Sequence, residues 1–353
     1  MRRRYKWGLA LLVLLGITLF LLRIDATIGI MCLVVELFVV ALIAIFFVLN
    51  ELLKHTIWYK NVFIYTDQMC TNMGYRNYLI RNLDIVNVGS NPARFAFHYE
   101  NILGENWSTG NQGLDMDFEI LKFRHSFLKK GGYVLIPILP FSSVSGYLID
   151  KPEYCGIKYY AKFARTLDPL QASLIPSVRS AFKWIRFPLF CEPKALRYLI
   201  LDEQADNRLS LPEMRLMKPQ LIEDARKMME SWLVEFKMKS IEEPLGNELI
   251  EGRNLSIKKM QEIIDFLHER ELNPVLVLPP MSKPLQIYFT QDVKQKLIYD
   301  FIKLINRPSV RFLDYSNEEK WQNPSLYFNS LYMNLPGRKQ FTNQVLTDLG
   351  LLN

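Results

Sequence analysis

The sequence predicts an α/β protein built on a parallel sheet and tethered to a membrane by two N-terminal helices. Two nearly uncharged apolar runs, at 7–22 and 28–49, precede a chain of ordinary soluble composition. Beyond residue 84, short apolar runs alternate with segments whose apolar residues recur every three or four positions. Half of the 353 residues are apolar and 22% are charged, which suffices for a large core and does not suit a disordered chain.

The first apolar run supplies 16 uncharged residues, short of the roughly 20 that cross hydrocarbon, and Tyr5 and Lys6 can extend it by snorkelling. No small-residue cleavage site follows it and a second, longer run comes at once, so a cleaved signal peptide is disfavoured. The break at 23–27, with Arg23 and Asp25, suits a tight turn between antiparallel helices that each satisfy their own backbone. This gives a membrane hairpin over 1–53, with helices at about 7–22 and 28–50, a connector at 54–82 and a globular domain at 83–353. Glu36, the one ionisable group in the second helix, is expected to face a partner helix or to lie near the headgroups.

The net charge of +7 contains no basic cluster beyond Arg2, Arg3 and Arg4, which directly precede an apolar run and read as a topology signal. A nucleic-acid partner is not expected. Cys32, Cys70, Cys155 and Cys191 show no C-x-x-C spacing, so neither a zinc site nor a disulfide framework is indicated, and no motif implies a cofactor. Lys54 and Lys60 follow the second apolar run, and with two spans the charge count puts the domain in the cytoplasm.

Within the domain, 84–88, 133–139, 274–278 and 310–315 read as buried strands. Helices are predicted over 115–129, 218–237, 256–271, 291–304 and 336–349. In 256–271, Met260, Ile263, Ile264, Phe266 and Leu267 form the apolar stripe, leaving Lys258, Lys259, Glu262 and Glu269 to solvent. The stretch 169–245 exceeds what a crossover needs and reads as a helical insertion, interrupted by the polar run 202–208.

Chemistry concentrates at Ile85-Val86-Asn87-Val88-Gly89-Ser90-Asn91-Pro92, an apolar strand that ends in Gly-Ser before a helix-compatible stretch. Ligands in open α/β sheets gather at strand carboxyl ends, where a following helix offers N–H groups to an oxyanion. Ser90 is thus a candidate nucleophile, although Gly-Ser-Asn also serves as turn and N-cap chemistry.

The segments NVGSNPARFAF, NWSTGNQGLDMDFEILK, NLSIKKMQEIIDFLHERELNPVLVLPP and FNSLYMNLPGRKQF, in that order, resemble the blocks of SGNH/GDSL-type hydrolases over residues 80–350. The resemblance is to the membrane-anchored DltD-like branch, whose setting is surface-polysaccharide O-acylation. It implies a flavodoxin-like three-layer α/β/α domain with a parallel sheet, preceded here by two transmembrane helices. It places Ser90 at the nucleophile, Gly110 and Asn111 at the oxyanion hole, and Asn329 and Tyr332 where active relatives carry acid and base. An Asn supplies no charge to orient an imidazolium, and an unperturbed Tyr is a poor base at neutral pH. None of His55, His98, His125 and His268 lies in the last eighty-five residues, and His98 is expected two turns along the helix that follows Ser90.

The resemblance therefore implies a catalytically degenerate protein acting beside a membrane-bound O-acyltransferase or a polysaccharide-export partner, with its domain outside the cytoplasm. A single true span would reconcile that side with the charge count. The alternatives are an active serine esterase or O-acyltransferase with a non-standard base, and a glycosyl-transfer or sugar-binding protein that stacks ligands on the aromatics of 321–327.

Overall fold

The computed structural model describes residues 18, 20, 23–63, 80–108, 112–148, 185–201 and 218–352. Helix α1, Ala26–Lys54, contains an 18-residue stretch of mean hydropathy 3.1, and among the described residues it is the one helix long and apolar enough to cross a membrane. Asp25 caps it by accepting from the Thr27 and Ile28 amides. The first predicted membrane helix, 7–22, lies outside the described residues apart from Thr18 and Phe20, so one spanning helix is seen rather than two. The Thr18 hydroxyl donates to Glu36, which gives that carboxylate a polar partner from the segment preceding α1.

The connector continues as α2, Ile57–Phe63, which buries Trp58, Tyr59 and Phe63 against the domain. The domain then runs β1 (Leu83–Asn87), α3 (Asn91–Arg94), β2 (Gly104–Asn106), α4 (Leu114–Arg124) and β3 (Leu128–Pro137). Within the region predicted as an insertion come α5 (Pro188–Cys191), a 3₁₀ turn at Pro193–Leu199 and α6 (Lys218–Glu235); the polar run 202–208 lies outside the described residues. The chain closes with α7 (Asn247–His268), β4 (Asn273–Leu278), α8 (Lys283–Gln286), α9 (Gln291–Lys294), α10 (Asp300–Ile305), β5 (Arg311–Asp314) and α11 (Leu335–Asp348).

All five strands are parallel, in the order β2-β1-β3-β4-β5. Alternation along the strands builds a core on each face. Val86, Val134, Ile136, Leu276 and Leu278 pack with Ile120, Ile263, Ile264 and Phe301, whereas Ile85, Leu135, Val275 and Val277 pack with Phe97, Phe341 and Val345. The sheet is thus sandwiched between two helical layers, as parallel sheets require.

β2 escaped sequence reading because Gly104-Glu105-Asn106 has no apolar residue, yet all three are buried. Gly104 is needed where β2 crowds its neighbours, since a Cβ there would lie 2.6 Å from the Tyr99 ring. Glu105, fully buried, pairs with Arg124 at 3.1 Å and accepts from Trp107 Nε1 at 2.6 Å. The Arg124 guanidinium lies 4.8 Å from the centroids of both Trp107 and Phe127. The ion pair fastens the end of α4 to the sheet edge, and breaking it strands a charge in the core. Arg124→Met is expected to lower unfolding free energy by about 3–5 kcal/mol, and the double variant Glu105→Gln, Arg124→Met to recover most of that loss in urea titrations.

Candidate functional site

β1 has hydrogen-bonded neighbours on both sides; the chain leaves β1 toward β2 on one side and leaves β3 toward β4 on the other. The crevice of this sheet order therefore lies between the carboxyl ends of β1 and β3. Val88 ends the pairing by donating to the Leu135 carbonyl, and Gly89 turns the chain with φ +114°. Any Cβ at residue 89 would approach Ala93 Cβ to 2.9 Å, so both the conformation and the space demand glycine. Ser90 follows in extended conformation, half-buried, and its side chain makes no capping bond to α3. It is left at the strand end as the sequence predicts.

Beneath it lies a buried polar lattice. Asn87 donates to Asn106 at 2.9 Å and accepts from the Tyr99 hydroxyl at 3.0 Å, while Asn106 reaches the carbonyls of Arg94 and Phe97. Ser108 closes the lattice with its amide and hydroxyl on Asn106 Oδ1. The expected oxyanion residues Gly110 and Asn111 lie outside the described residues. The residues flanking them are tied down, Ser108 to Asn106 and Gln112 to Asp117.

Asn329 and Tyr332 come to this end of the sheet in different capacities. Asn329 Oδ1 accepts from the amides of Leu331 and Tyr332 at 3.0 and 2.6 Å, an Asx turn that shapes the loop. The Tyr332 ring lies 5.1 Å from that of Phe95, with its phenol near Asn91, the residue after Ser90. Burial raises the Tyr332 phenol above its usual range, which removes it as a proton acceptor at neutral pH. The intervening Ser330 presents its amide and hydroxyl to Asp224 Oδ2, at 2.8 and 2.5 Å, and so ties α6 to the site loop. An apolar cleft with room for about a water molecule is lined by Pro92, Phe95, Pro140, Pro280, Leu331 and Met333.

The histidines are committed elsewhere. The helix after Ser90 ends at Arg94, so His98 does not extend it; Pro92 lies in its first turn, and the Phe95 amide turns back to Asn91. His98 is buried, with Nε2 3.3 Å from Glu100 and its amide on Thr342. His125 meets the Lys122 carbonyl and the edge of Phe266, and His55 and His268 are exposed at helix ends.

Asp117 is the functional-looking residue that the sequence reading passed over. Fully buried in the first turn of α4, its Oδ1 accepts from the Gly89 amide at 2.9 Å and from Gln112 Nε2 at 2.6 Å. Burial drives its carboxyl up to about 7, with a smaller push from Asp115, against the lowering effect of the two hydrogen bonds. A signal was there: Asp117 shares the stripe of Leu114, Leu121 and Arg124, where an acid on an apolar face is conspicuous. Asp224, far away in sequence, offered no local signal.

No protein-family model matches the chain, and no curated protein matches it.

Because Asp117 holds its proton in the folded protein but ionises near 3.8 when unfolded, ionisation opposes folding. The effect is absent below about pH 4, grows as pH rises through that range and levels off above about 7. Asp117→Asn keeps the accepting oxygen and removes the charge. It is expected to be more stable than the parent at pH 8, by at most about 4 kcal/mol, with a smaller advantage at pH 5. A difference in melting temperature that does not widen with pH would show that Asp117 is ionised in the fold.

Proposed function

We propose that this chain is a membrane-anchored, SGNH-like protein that is catalytically degenerate. In this reading it serves as an accessory or partner in cell-surface polysaccharide biosynthesis or O-acylation. The observation that carries the reading is the mismatch at the crevice. A serine stands at the carboxyl end of an interior strand, where the residues in the places of acid and base have taken other work. Asn329 holds its own loop together and Tyr332 keeps its proton. A serine hydroxyl without an acceptor is a weak nucleophile, and the loss of triad members costs several orders of magnitude in rate.

The sheet order β2-β1-β3-β4-β5 is the flavodoxin-like arrangement, and it supports the three-layer SGNH-like domain. α1 supports the membrane anchor. A single crossing by α1, with Arg2, Arg3 and Arg4 on the cytoplasmic side, puts the domain outside the cytoplasm. In that setting the partner is a membrane-bound O-acyltransferase or a polysaccharide-export protein that packs against α1, and its recovery by mild-detergent co-purification from native membranes is the expected result.

One observation favours the second reading, an active esterase or acyltransferase using Ser90. Asp117, held near neutral by burial and bonded to the Gly89 amide, is a titratable group one residue from the hydroxyl. A fluorophosphonate probe applied to the full chain in membranes separates the two. The degenerate reading expects no labelling above that of Ser90→Ala. Strong labelling that disappears in Ser90→Ala and weakens in Asp117→Asn would replace it with the active one.

A further inference from the structure

The segment 185–201 joins α1 to the domain, and it carries an apolar surface that the fold does not cover. Phe187 packs on two α1 residues, with ring centroids 6.4 Å from Phe46 and 6.0 Å from Phe47. The Leu189 amide donates to Asn50 Oδ1 at 2.9 Å, and the Tyr59 hydroxyl donates to the Ile185 carbonyl. Trp58 stacks on Tyr198 with the rings 11° from parallel. These contacts fix the segment at one height on α1, beside the point where its apolar run gives way to Asn50, Glu51 and Lys54.

At that height, side chains that would normally be buried point outward. Phe190 is 77% exposed, Ile200 88%, Leu201 42% and Leu196 39%, although Leu189 and Ala195 between them are buried in the domain. Arg186, Lys194 and Arg197 are exposed in the same stretch, where Glu192 is the one acid. Apolar side chains interleaved with basic ones, level with the end of a spanning helix, suit the boundary between acyl chains and headgroups. Phe46 and Phe47 lie about one turn inside the apolar part of α1, so Phe187 sits at the depth of that boundary.

We propose that residues 185–201 lie in the membrane surface beside α1, with Phe190, Leu196, Ile200 and Leu201 among the outer acyl segments of an anionic bilayer. Arg186, Lys194 and Arg197 then meet lipid phosphates. The inference rests on the reading of α1 as a membrane anchor. The continuous apolar surface from α1 onto this segment favours lipid over a protein partner, because lipid already surrounds the first half of that surface. The basic residues match the negative potential of an anionic leaflet. Two attachments, a spanning helix and a flat interfacial segment, hold the domain in one orientation over the bilayer, which a single helix alone would not.

The full chain is reconstituted in nanodiscs of phosphatidylethanolamine and phosphatidylglycerol, with the four native cysteines replaced by alanine. A nitroxide is attached through Phe190→Cys, Ile200→Cys, Leu42→Cys on α1, or Val234→Cys on α6, whose native side chain is 79% exposed. The ratio of accessibility to oxygen over that to a water-soluble nickel chelate is then measured. The ratio at 190 and 200 is expected to approach that at 42 and to exceed that at 234 several-fold. A ratio at 190 and 200 equal to that at 234 overturns the inference and leaves the anchor intact. Exclusion of both reagents at 190 and 200 overturns it in favour of a protein cover, and an aqueous ratio at 42 overturns inference and anchor together.

Discussion

Everything at the candidate site depends on how the chain leaves β1. An interior strand must end in a crevice already crowded by β3 and by the helix it feeds, and Gly89 is the residue that makes the exit possible. Its positive φ turns the chain, and its missing side chain admits Ala93 and Pro137. Its amide, having no partner in the sheet, goes to Asp117. One turn therefore sets the place of Ser90, the start of α3 and the attachment of α4. A carboxylic acid is drawn into the core because that amide needs an acceptor there.

That acid is out of keeping with the rest of its surroundings. Nearby polar groups, Asn87, Asn106, Ser108 and Tyr99, are neutral and satisfy one another, as a buried lattice must to avoid a desolvation penalty. Glu105 meets the same demand with a full ion pair. Asp117 instead has amide donors and no cation, so burial is answered by holding a proton. The site thus contains a carboxyl that titrates near neutral pH, bonded to the residue before Ser90.

Much of this was legible in the sequence, and the rest was hidden for identifiable reasons. The four apolar strand runs are β1, β3, β4 and β5 to within a few residues except at the start of β3, which begins earlier through the exposed Lys129 and Lys130; β4 and the end of β3 are legible because they are buried and apolar. β2 uses packing against Tyr99 and an ion pair in place of apolar side chains, so composition conceals it. The helix predicted from 256 begins at Asn247, since Leu249 and Gly252 extend the buried stripe through a stretch that reads as polar. The placement of Ser90 followed from the Gly-Ser boundary alone. Roles set by distant partners, such as Asp117 on Gly89 and Asp224 on Ser330, leave almost no trace in local pattern.

Asn329, Ser330 and Tyr332 also show how a loop gives the crevice its shape. Asn329 organises the loop through its oxygen, because two backbone amides require an acceptor and no charge. Tyr332 packs its ring against Phe95 and Phe328. Ser330, between them, anchors α6 through Asp224, so the loop now couples the strand ends to a helix above them. Each of the three residues makes a fixed contact. A loop tied at both ends to backbone amides and to a second helix keeps the carboxyl ends of the strands in one arrangement.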